Sequence, residues 1–137
     1  MIRRMLKSKI HRVTVTDTNL DYEGSLGIDA DLMKAADIVP YELVHVYNIS
    51  NGKRFETYAI EESPGSGAID LKGAAAKKGD RGDLIIIACY TSVDDKNLKE
   101  FKPKIILVDK ANKIDGLVKS PQTDDTVKRS RCKARES

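Results

Sequence analysis

Ser25 directly follows Gly24 in the run Tyr22-Glu23-Gly24-Ser25, and the same chain carries Lys9, His11, Arg54, Thr57 and Tyr58. A serine hydroxyl can attack the carbonyl of the residue before it, moving the acyl group from nitrogen to oxygen. Glycine at that position has no Cβ, so the hydroxyl can approach and the backbone can take strained angles. Elimination of the resulting ester, followed by loss of ammonia, would leave a ketone at a new terminus at position 25. On its own a Gly-Ser pair is an ordinary surface turn. The self-cleavage reading rests on the company it keeps.

The rest of the chain bounds what must position such a site. It has 137 residues, 40% hydrophobic and 33% charged, which suits one compact soluble domain with a real core. The longest apolar run, Leu84 to Cys89, is of strand length and far from the ~20 residues of a membrane helix. The basic start, Met1 to Lys7, lacks the apolar region of a signal peptide. Cys89 and Cys132 have neither metal-ligand nor redox spacing, so a metal site is not expected, and two lone cysteines suit a reducing cytoplasm. The net charge of +3 belongs to residues 117–137, where six basic groups face three acidic ones, while residues 1–116 balance at 18 and 18. The body offers no excess positive field for nucleic acid, and the basic tail reads as disordered and solvated.

The hydrophobic pattern is mostly that of short strands. Arg12–Thr16 alternates with Val13 and Val15 on one face, Asp17–Asn19 reads as a turn, and Leu20–Ser25 as extended chain. Asp29 is a plausible N-cap for a short helix whose Leu32, Met33 and Ala36 share a face, with Pro40 beyond its end. Glu42–Ile49 and Lys53–Ile60 flank an Asn51-Gly52 hairpin turn. Ala68–Leu71 reads as a strand and Gly73–Lys78 as a single helical turn ended by Gly79. Leu84–Thr91 and Lys104–Val108 are continuous enough to be buried on both faces. Many short strands, two short helices and no βαβ rhythm predict a mainly β fold, a small closed barrel that leaves no exposed edge.

Six fragments in collinear order now carry a resemblance: Met5 to Arg12, Tyr22-Glu23-Gly24-Ser25, Ile28-Asp29, Asn51 to Arg54, Thr57 to Ile60, and Gly73 to Ala76. Together they resemble the pyruvoyl-dependent aspartate 1-decarboxylase family, over Met1 to about Asn112. The resemblance implies a double-psi β-barrel over residues 1–116, cleaved between positions 24 and 25 into a short and a longer chain. It also implies a cytoplasmic homotetramer with active sites between subunits, making β-alanine and carbon dioxide from L-aspartate for pantothenate and coenzyme A. Decarboxylation leaves an electron pair on the α-carbon, so a sink must be conjugated to the amine. A pyruvoyl group derived from Ser25, joined to that amine as a Schiff base, is such a sink.

The same resemblance assigns roles. Thr57 would hold its hydroxyl near the Gly24 carbonyl and stabilise the oxyanion of the acyl shift. Arg54 would grip the α-carboxylate through two parallel hydrogen bonds, and Lys9 the other carboxylate. Tyr58 would return a proton to the α-carbon. Tyr22 and His11 would lie near the cleavage site, and Gly73, Ala74 and Ala75 would offer backbone N–H groups to substrate. Two positions depart from the family pattern: Tyr47 stands where tryptophan is frequent, and Lys72 where asparagine is usual. Lys72 could tighten binding of a dianion, pair with the α-carboxylate and slow its loss, or point outward and do nothing. Competing readings are a non-catalytic barrel that binds DNA or protein through its basic tail, and an uncleaved, inactive precursor. Sparse aromatics (two Phe, five Tyr, no Trp) weaken nucleic-acid binding. The residues leave open a maturation partner, and selectivity against glutamate.

Overall fold

The computed structural model describes residues 1–118, so most of the basic tail lies outside the described residues. Nine strands form one mixed sheet in the order β2-β6-β3-β5-β4-β7-β1-β8-β9. They are β1 (Ile2–Thr14), β2 (Asp17–Asn19), β3 (Ser25–Asp29), β4 (Leu43–Asn48), β5 (Arg54–Glu62), β6 (Ile69–Lys72), β7 (Leu84–Asp94), β8 (Lys104–Val108) and β9 (Ile114–Val118). One α-helix, α1 (Ala30–Ala35), and two short 3-10 helices, Gly73–Lys78 and Asp95–Asn97, complete it. The fold is mainly β, as the strand pattern predicts.

Rolling this sheet gives it an inside. Val44 and Val46 of β4, Ala59 of β5, Leu26 and Ile28 of β3, Ile69 and Leu71 of β6, Ile85 and Ile87 of β7 and Ile10 of β1 all reach zero exposure in one apolar cluster. Period-2 alternation puts these residues on one face, and burying each large aliphatic side chain is worth about 1.5–3 kcal/mol. No ladder joins the edge strands β2 and β9. The chain just after β1 bridges back to β6 instead: the Thr16 N–H donates to the Ile69 carbonyl at 2.9 Å. The side chain of Asn112, 1% exposed, ties Thr14 to the Gly67 carbonyl across the same region. The arrangement is that of a small β-barrel.

Several local expectations need correction. The first strand is not Arg12–Thr16 but a 13-residue strand beginning at Ile2. Its pairing with β7 shifts register between Leu6 and Ser8 and again between Ile10 and Val13, where Arg12 takes φ 62°. Such bulges bend a long strand and break the alternation that would have revealed it. Asp17–Asn19 is a strand parallel to β6 rather than a turn. Leu20–Gly24 is turn and bend, with extended chain resuming at Ser25. β9 had no counterpart in the sequence reading, whereas the helical turn at Gly73–Lys78 is found with the expected bounds and Gly79 at its end, as a 3-10 helix.

Other expectations hold. Asp29 caps α1, accepting the Asp31 N–H at 2.8 Å. Its carboxylate also accepts the N–H groups of Gly65 at 3.0 Å and Gly67 at 2.8 Å, which fastens the 65–67 loop under the helix start. The β4–β5 hairpin turns at Asn51-Gly52, with the positive φ (78°) falling on Gly52.

Candidate active site

The segment around Gly24 is shaped by a backbone-to-backbone contact with Gly73. Gly73 sits at φ 64°, and a Cβ there would fall 2.5 Å from the Tyr22 carbonyl oxygen and 2.6 Å from both the N and Cα of Gly24. Only glycine fits on both counts, conformation and space. Next along the chain, the Ala74 nitrogen lies 3.8 Å from where a Gly24 Cβ would stand. The turn that opens the 3-10 helix is thus laid against residues 22–24.

Ser25 begins β3 and is 1% exposed, its hydroxyl donating to the Glu23 carbonyl at 3.3 Å. Across the antiparallel pair it faces Lys72. On its other side β3 runs parallel to β5, and the paired residues begin with Leu26 opposite Ala59, one position after Ser25 and Tyr58 respectively. Because Leu26, Ala59 and Leu71 all point into the core, their chain neighbours Ser25, Tyr58 and Lys72 share the opposite face. The Tyr58 ring lies 6.0 Å from that of Tyr41. Thr57 has the core-side parity of Ala59 and pairs with Val44.

Lys72 points into this site. Its side chain is 13% exposed, its ammonium lies 2.7 Å from Glu62 Oε1 as an ion pair, and it sits 4.3 Å from the centroid of the Tyr22 ring. Burial alone would lower the pKa of this ammonium, but the Glu62 carboxylate outweighs it and holds the value above ordinary. The outward-pointing alternative is therefore overturned, and Lys72 already holds a carboxylate of its own. Asp70 lies near the same cluster. Burial raises its pKa, against the lowering effect of the Thr16 hydroxyl bonded at 2.9 Å.

A second group of side chains lies further along the same face. Arg54 packs its guanidinium 4.2 Å above the Tyr47 ring. The Tyr47 and Tyr90 hydroxyls share a 2.6 Å hydrogen bond, and burial together with that bond pushes the Tyr47 phenol up to about 12. His45 meets the Tyr90 ring edge-on at 4.9 Å and approaches Glu56 at 3.6 Å. The strand registers run Glu56, His45, Ala88, Lys9 and Ile105 across five strands in one row. His11, two places along β1, pairs with Leu107.

Within one chain, then, Tyr22, Gly24, Ser25, Lys72, Gly73 and Ala74 come together, with Thr57 and Tyr58 on β5, the strand that pairs with β3. Ala75, buried in the core, supports the 3-10 helix. Lys9 and His11 lie on β1, four steps from β3 in the strand order. Arg54 lies four residues from Tyr58 on β5. Sequence reading missed Glu62, whose partner is 10 positions away on another strand. No local signal marks it, since Glu62 matters through the space above Gly27, where an added Cβ would meet Glu62 Oε1 at 2.3 Å. Tyr90 was missed for the same reason. Among the described residues no cluster of His, Cys, Asp and Glu could hold a metal, and no helix is long and apolar enough to cross a membrane.

The model of the aspartate decarboxylase family matches residues 1–115. The aspartate 1-decarboxylase of Syntrophobacter fumaroxidans is 58% identical over 113 residues, covering 82% of this chain and 91% of that protein. That of Thermoanaerobacter pseudethanolicus is 57% identical over 113 residues, covering 82% and 97%. That of Desulfotalea psychrophila is 51% identical over 119 residues, covering 87% of this chain and all of its own length.

Proposed function

The chain belongs to the aspartate decarboxylase family, and from that premise we propose how its residues make and use the site at Gly24–Ser25. The activity is decarboxylation of L-aspartate to β-alanine, the family's contribution to pantothenate. The observation that carries the reading is the fit of Gly73 against Gly24, which cradles the peptide before a buried serine.

Maturation uses the chain's own groups. The Ser25 hydroxyl attacks the Gly24 carbonyl carbon, the Gly24–Ser25 C–N bond breaks, and an ester replaces the amide. Thr57, on the strand that pairs with β3, stabilises the oxyanion of that shift. Loss of the Ser25 α-proton expels the Gly24 carboxylate. Water then replaces the freed nitrogen, which leaves as ammonia. Before cleavage the Ser25 hydroxyl donates to the Glu23 carbonyl, in the segment that cleavage releases. A pyruvoyl ketone at position 25 supplies the electron sink that takes up the pair left by the departing carboxylate.

The remaining residues bind and protonate. Arg54, its guanidinium steadied on Tyr47, takes the α-carboxylate. Lys9 takes the second carboxylate. Tyr58, directly before the Ala59 that pairs with Leu26, returns the proton to the α-carbon. Backbone N–H groups at Gly73 to Ala75 line the other side.

Assembly follows the family reading: a homotetramer with active sites at subunit interfaces, where side chains of a neighbouring copy, Lys9 and His11 among them, can complete the site. The reading includes a catalytic unit over residues 1–116, a tail that takes no part in the chemistry, a cytoplasmic setting and selectivity for aspartate. The test is release of carbon dioxide and β-alanine from aspartate by the matured protein. The Ser25→Ala variant should show neither cleavage nor release, and turnover by that variant would refute the role of Ser25.

A further inference from the structure

Glu62 has no part in the chemistry above, yet its carboxylate fixes the cation that faces Ser25. The contact with Lys72 is 2.7 Å, with the side chains 22% and 13% exposed. Glu62 is the last residue of β5 and pairs with Asp29 of β3. To reach Lys72 it folds back over Gly27, and the missing side chain there is the space it occupies. We propose that Glu62 and Lys72 act as a positioning pair for the self-cleaving peptide, an inference that rests on the reading of Gly24–Ser25 as the cleavage point.

Three contacts make the connection. The Lys72 ammonium, held by Glu62, sits on the Tyr22 ring at 4.3 Å. The Tyr22 carbonyl and Gly24 rest on the Gly73 backbone, and Gly73 follows Lys72 directly. Ser25 is fixed from the other side by its ladder to Lys72. The chain entering the cleavage point is thus pinned at residue 22 by a side chain, at 22–24 by a backbone contact, and at 25 by a strand. Without Glu62 the half-buried ammonium would turn to water or to the nearby Asp70, and Tyr22 would lose its anchor. Attack of a hydroxyl on its own preceding carbonyl depends steeply on angle, so freedom in this segment slows it. Glu62 touches no reacting atom. It acts through Lys72 and Tyr22.

The test follows precursor made by cell-free synthesis, with intact mass recorded over time. Wild-type chain should convert to two fragments. Glu62→Gln should lengthen the half-time about tenfold, and Gly27→Ala, which displaces the Glu62 carboxylate without removing its charge, should slow conversion similarly. Lys72→Asn alone leaves Glu62 without its cation, so the K72N/E62Q double variant should cleave faster than K72N, a coupling independent effects would not give. Melting of each precursor is measured beside it, because a general loss of folding would slow cleavage only in proportion to the unfolded fraction. Wild-type half-times in both E62Q and G27A, slowing fully accounted for by unfolding, or additive effects in the double variant would each overturn the pair. Failure of the wild-type chain to cleave would overturn the cleavage reading itself, and with it this inference.

Discussion

Gly73 and Gly24 meet through their backbones: a Cβ on Gly73 would stand 2.6 Å from the Gly24 Cα, in a residue held at φ 64°. Gly73→Ala therefore combines a left-handed conformation, costing about 1–2 kcal/mol, with an overlap that only movement of the cleavage segment can relieve. Self-cleavage should fall at least about tenfold. Alanine at the neighbouring Gly24 meets nothing closer than 3.8 Å, so a defect there would reflect the chemistry of the bond rather than crowding. Time courses of intact mass separate the two.

Tyr58→Phe should leave cleavage at Ser25 intact, since the hydroxyl is assigned to the later protonation. Decarboxylation should drop about 10²–10⁴-fold, the range for loss of a positioned acid. Steady-state release of carbon dioxide, normalised to the fraction cleaved, checks this.

Tyr90→Phe removes the hydroxyl that pins Tyr47 under Arg54. The Arg54 guanidinium keeps its charge but loses its fixed platform. KM for aspartate should rise several-fold with kcat within about twofold, the pattern of weakened binding common to ground and transition states. An unchanged KM would mean Arg54 does not depend on this ring.

Asp29 should show its worth in acid. Burial would raise its pKa, but hydrogen bonds from Gly67, Asp31 and Gly65 outweigh that and hold it below the ordinary 3.8. The unfolded chain therefore binds this proton more tightly than the folded one. The carboxylate's contribution is fully present above 3.8 and is lost as pH falls through the folded value. Asp29→Asn should cost about 1–3 kcal/mol near neutral pH and flatten the acid limb of stability. Urea denaturation across pH 2–7 reads both.

Much of the fold was legible because it depends on local pattern. Val13 and Val15, Val44 and Val46, the Asp29 cap and the Asn51-Gly52 turn each announce themselves within a few residues. Ile2–Thr14 did not, because Arg3, Arg4 and Lys7 give no alternation and two register shifts interrupt what there is. Asp17–Asn19 looks like a turn and becomes a strand only through its parallel partner β6. At the site, Ser25, Gly24 and Gly73 could be named from motif order. Glu62 could not, because what makes it matter is a partner on β6 and an empty space above Gly27, both products of tertiary packing. Lys72 shows the same limit from the other side. Its identity was visible, but the carboxylate that claims it was not.

The most direct measurement is the intact mass of the purified protein under denaturing conditions. Two fragments divided between Gly24 and Ser25, the larger about 17 Da lighter than a serine-started chain through net loss of ammonia, are the expected result. An unbroken chain after prolonged warm incubation, or a larger fragment that still begins with serine, would contradict it.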